Sequence, residues 1–146
     1  MSILDGHSRD QLRLAYTEAW RKFTERMPMS AQEAAIADII ALHPEYQALV
    51  ADAVNALAFE SGAETGRQNP FLHMGLHLAV RDQIAIDRPP GIRAIHQHLQ
   101  SKLGDIHLAD HELMEALGQV LWQAQRDGRA PDEQKYLALA GQRAED

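Results

Sequence analysis

The chain has 146 residues, 45% of them hydrophobic, enough to bury a core, and it is read as a single helical domain over residues 1–146. Its formal charge of −7 and dispersed arginines disfavour a phosphate-backbone partner, so no nucleic-acid partner is expected. It contains no cysteine, which excludes disulfides, thiolate nucleophiles, iron–sulfur clusters and Cys-type zinc fingers and leaves imidazole and carboxylate as the metal donors.

No apolar run approaches bilayer-spanning length, and MSILDGHSRD has neither the basic start nor the apolar core of a signal peptide. No membrane partner and a cytoplasmic location are therefore expected. Start and stop signals divide the chain into six or seven helices with no convincing strand pattern, which makes the expected fold an all-α bundle. Ser8 is placed to cap a first helix to about Met27, with Leu12, Ala15, Tyr16, Ala19, Trp20 and Phe23 as its apolar stripe. Ser30 and Glu33 form a capping box for a second helix carrying Ile36, Ile39 and Ile40, which ends near His43 because Pro44 follows.

Pro44 suits the first turn of a third helix, expected to run to about Phe59 with Leu49, Val50, Val54 and Leu57 inward. The polar segment ESGAETGRQ that follows is a loop. Asn69 caps and Pro70 opens the fourth helix, NPFLHMGLHLAVRDQIAI, which closes before the DRPPG turn. A fifth spans Ile92 to Leu103 with Ile92, Ile95, Leu99 and Leu103 on one side, and Gly104 ends it. Asp105 caps a long sixth to about Arg126, and Pro131 opens a short seventh bearing Tyr136, Leu137 and Leu139. Trp20, Phe23, Phe59, Phe71, Trp122, Met74 and Met114 are read as core, each having aliphatic neighbours at helical spacing.

Two histidine pairs stand out against this background. His73 with His77 and His107 with His111 are each spaced i, i+4, so each pair projects from one helix face, and Glu115 continues the second pair one turn further. Helical bundles present metal ligands in this way. Short connections make the fourth and sixth helices parallel, and both pairs lie in the first two turns, so they fall at similar height if those helices are neighbours. At a rise of about 1.5 Å per residue, His73 and His77 are roughly 6 Å apart along the axis and His107 and Glu115 roughly 12 Å. One ion cannot span both extremes. His73, His77 and His111 with either His107 or Glu115 form a mononuclear set, and the leftover group serves as an outer partner or as a ligand to a second ion.

Other readings compete. A single helical histidine is more often solvated or hydrogen-bonded than ligating. His7 is terminal, and His96 and His98 are assigned to solvent because residues two apart cannot share a helix face. His43 is a weaker metal candidate, better suited to capping or hydrogen bonding at its helix junction. Glu112 lies one step off the histidine stripe. The chain lacks a Cys-x-x-Cys-His haem signature, a G-x-S-x-G elbow and a phosphate-cradling glycine loop.

The blocks HPEYQALV at 43–50, NPFLHMGLHLAVRDQIAIDRPPGI at 69–92 and HLADHELMEALGQVLWQAQRDGRAPDEQKYL at 107–137 resemble a bacterial family catalogued as domain of unknown function 1841. The resemblance implies a small bacterial α-helical protein in which His43, His73, His77, His107, His111 and Glu115 matter. The chain departs from the family pattern at Gln47, where the family has a second histidine after the HPEY block. The leading expectation is a transition-metal protein, with zinc or iron as the cofactor. If it is an enzyme, Glu115 or Glu60 is the nearest general-base candidate. The competing expectation is a metal-free interaction protein acting through a homodimer or another partner.

Overall fold

The computed structural model describes residues 9–59 and 69–145. Among the described residues it has eight helices and no strands: α1 (Arg9–Thr24), α2 (Ala31–Ala41), α3 (Pro44–Val50), α4 (Ala53–Ala58), α5 (Pro70–Ile86), α6 (Ile92–Leu103), α7 (Ile106–Asp127) and α8 (Glu133–Glu145). The all-α expectation holds, with a helix count slightly above it. None of these helices is long and apolar enough to cross a membrane. The chain forms two compact units, residues 1–74 and 75–146, with residues 70–74 of α5 in the first and the rest of that helix in the second. Ser8, His7, Glu60 and the segment 60–68 expected to be a loop lie outside the described residues.

In the first unit α1 packs on α2, α3 and α4. The stripe on α1 is narrower than its spacing suggests: Tyr16 and Ala19 are buried, whereas Leu12 and Phe23 are exposed and Phe23 stacks on Trp20. Arg13 takes a buried place instead. Its Nη1 donates to the carbonyls of Ala56 at 2.9 Å and Phe59 at 2.6 Å, and its guanidinium lies 4.8 Å above the Phe71 ring. The last carbonyls of a helix have no partner within it, and a cation suits that end. The Ser30–Glu33 capping box forms in full, and Glu33 also receives Lys22 Nζ at 2.7 Å, tying α1 to α2. Ile36, Ile39 and Ile40 are buried as expected.

The single helix expected from Pro44 to Phe59 is two. Asp52 Oδ1 accepts from the backbone N–H of Val54 and Asn55, so the chain restarts as α4 in place of continuing, and Val54 is 73% exposed where periodicity puts it inward. A short acidic side chain offers the backbone a competing partner, which apolar periodicity does not register.

In the second unit α6, α7 and α8 pack on one another around Val80, Ile92, Leu99, Leu113, Val120, Tyr136 and Ala140. Tyr136 Oη donates to Gln83 Oε1 at 2.6 Å and so joins α8 to α5. The DRPPG turn is held at both ends: Asp87 Oδ1 accepts from the N–H groups of Gly91 and Arg93, while the Arg93 side chain donates to Ile84 and Ala85 carbonyls at the end of α5. Gly104 and Gly128, at φ of 72° and 65°, close α6 and α7 in the left-handed region that favours glycine. Two expectations fail. Trp122 is 59% exposed, with the Arg126 guanidinium over its ring, and is not core. The last helix begins at Glu133 with Asp132 bonding the Lys135 N–H, and its 13 residues are not short.

Candidate metal centre

His43 sits between α2 and α3, where Pro44 at the first helical position prevents α2 from running on. Its side chain does not cap α3. The buried ring instead turns back, and Nδ1–H donates to the Ile39 carbonyl at 2.8 Å. Because a carbonyl can only accept, that bond assigns the proton to Nδ1, and in a neutral ring Nε2 then carries the electron pair. Nε2 lies 3.1 Å from Nε2 of His73, which Asn69 places in the first turn of α5 by accepting from the Phe71 and Leu72 N–H groups. Tyr46 stacks on His43 at 5.3 Å and meets His73 edge-on at 5.9 Å, so both rings are oriented from outside the pair. Hydrogen bonding, one of the two roles expected for His43, is what the geometry shows.

The second unit holds the other cluster. His77, one turn after His73 on α5, is fully buried, and its ring centroid lies 5.3 Å from that of His107 and 5.9 Å from that of His111. The His107 and His111 centroids are 4.3 Å apart. Three of the expected residues thus come together on α5 and α7. Glu115 does not join them: its side chain is 67% exposed and accepts from Arg143 Nη1 at 2.8 Å, and Glu112 takes the same guanidinium. A flexible carboxylate at the surface pairs with the nearest cation, here from α8. Glu60, the other base candidate, lies outside the described residues.

Two residues that sequence reasoning misses complete this cluster. Asp110 is 1% exposed; Oδ2 accepts from His77 Nε2–H at 2.8 Å and Oδ1 from His96 Nε2–H at 2.7 Å, with Arg81 Nε 3.5 Å from Oδ2. The expectation of solvent exposure for both His96 and His98 is half right. His98 is exposed, but His96 is buried. A signal exists in the sequence, since His96 follows Ile92 by four residues and precedes Leu99 by three and so belongs to the apolar face of α6. Asp110 likewise precedes Leu113 and Leu117 by three and seven. Burial works to raise the Asp110 pKa, yet the hydrogen bonds from His77 and His96, reinforced by charge on either ring when it is protonated, outweigh it and hold the carboxyl well below its usual range.

A family model described as a domain of unknown function (DUF1841) matches residues 8–142. The chain belongs to that family. The match includes every imidazole of the two clusters and His96, as well as Asp110, Glu115 and Gln47, the last of which reaches the Ile40 carbonyl at 3.5 Å. No curated protein and no solved structure matches this DUF1841 chain. Neither imidazole cluster lines a cavity of about 140 Å³ found among the described residues at the α7–α8 junction, which is bordered by Val120, Gln123, Arg129 and Lys135.

Proposed function

We propose that this DUF1841 protein binds a transition-metal ion, zinc or iron by donor type, through buried imidazoles. The observation that carries the reading is the 3.1 Å separation of His43 Nε2 and His73 Nε2, with His43 Nδ1 anchored on a backbone carbonyl. Two nitrogens bound at about 2.0–2.1 Å to one tetrahedral ion stand about 3.3 Å apart, close to that separation. Metal-ligating histidines also commonly donate their second N–H to a carbonyl or carboxylate. His43 does so to Ile39 and His77 to Asp110. His43 and His73 are the ligands proposed in the first unit, and His77, His107 and His111 are those proposed in the second. Stoichiometry decides between one ion and two. Glu115 is left out because Arg143 holds it.

Protein purified without a histidine tag should carry or take up at least one zinc or iron per chain, with affinity tighter than micromolar. Elemental analysis and calorimetry with no stoichiometric metal would overturn the reading. A metal-free role is the second reading, and it would draw on exposed apolar side chains such as Val54, Leu72, Ile86 and Trp122. On that reading the buried histidines only join helices, and the protein acts through a second copy or another chain. Concentration-dependent association of metal-free protein would support it.

A further inference from the structure

We infer that Asp110 is a positioning residue for metal binding, holding His77 as the neutral Nε2–H tautomer and so reserving its Nδ1 as the metal-binding electron pair; this rests on the metal-binding reading above. The carboxylate is almost wholly buried and receives one imidazole on each oxygen, His77 at 2.8 Å and His96 at 2.7 Å. A carboxylate only accepts, so each Nε2 must carry a hydrogen. A buried carboxylate also needs a compensating cation. Arg81, with Nε 3.5 Å from Oδ2, supplies a permanent one, so neither imidazole has to be protonated at both nitrogens to balance the charge. The carboxylate therefore fixes which nitrogen of a neutral His77 carries the hydrogen and which one is left with the electron pair that a ligand needs. α7 carries Asp110 between His107 and His111, so the helix that orients His77 also presents the two rings that lie 5.3 Å and 5.9 Å from it.

Asp110→Asn tests this with little change of shape, because an amide nitrogen cannot accept from an imidazole N–H and the variant can no longer receive both rings. Two measurements are combined. Nitrogen–proton correlation spectra of the histidine rings, recorded on metal-free wild-type protein near pH 8, should show His77 as Nε2–H; a Nδ1–H tautomer or a doubly protonated ring overturns the inference, and no variant has to fold for this result. Zinc titration should then show Asp110→Asn binding at least tenfold more weakly than wild type, while Asp110→Asn added to His77→Ala costs nothing further, because the carboxylate acts through that ring. Wild-type affinity in Asp110→Asn, or a full additional loss in the double variant, overturns the positioning role and leaves the metal reading intact. No zinc uptake by the wild type overturns both.

Discussion

Two positions apart on α6, the same side chain meets opposite surroundings. His98 is solvated, and His98→Ala should leave metal uptake unchanged; a loss equal to that of His73→Ala would mean that surface imidazoles account for the binding. His96→Ala should instead cost about 2–3 kcal/mol in denaturant unfolding, since it leaves Asp110 Oδ1 buried without its donor. Glu115→Gln should change stability by less than about 1 kcal/mol and metal uptake not at all, because the carboxylate is solvent-exposed and already paired with Arg143. A tenfold weaker Kd for zinc in Glu115→Gln would restore that carboxylate to the ligand set. Burial against Phe71 pushes the Tyr16 phenol up to about 12. The folded state therefore keeps its proton while the unfolded chain ionises near pH 10, so this contribution is complete below pH 10 and lost as pH rises through about 12. Alkaline melts should show that loss in the wild type and a shallower one in Tyr16→Phe.

Among the elements, helix ends are legible wherever the chemistry that makes them lies within four residues. Ser30 with Glu33, Asn69 with Pro70, and Gly104 with Asp105 all mark observed ends. Asp105 Oδ1 accepts from the N–H of His107 at 2.6 Å, so Asp105→Ala should cost about 1 kcal/mol, read as a lower denaturation midpoint at unchanged slope. The same change should fray the turn that carries His107 and weaken zinc binding. Full zinc affinity in that variant would show that His107 contributes little. The break at Asp52 is not legible, because apolar spacing runs across it and the cap competes locally with helix continuation.

For the protein taken entire, metal, acid and stability should be linked. An ion that binds only the folded chain stabilises it by mass action, about 4 kcal/mol at a thousandfold excess over Kd, so chelation should lower the melting temperature. Imidazole must be neutral to ligate, and protons compete below about pH 6, so metal content and that increment should fall together there. Melting curves that respond to acid identically with and without chelator would contradict the coupling.

The all-α class, most helix ends and a donor set restricted to imidazole and carboxylate can be read from the amino-acid sequence alone, because they depend on composition and on contacts within a helical turn. The spacing that puts His77, His107 and His111 on helices able to meet is legible in the same way. Partners are not: His43 with His73, Asp110 with both His77 and His96, and Arg143 with Glu115 emerge only from packing. Those residues stand 30, 33, 14 and 28 positions apart, and their meeting depends on how each helix is rotated against its neighbour. Periodicity defines an inward face about 100° wide but not which side chain across the core it meets.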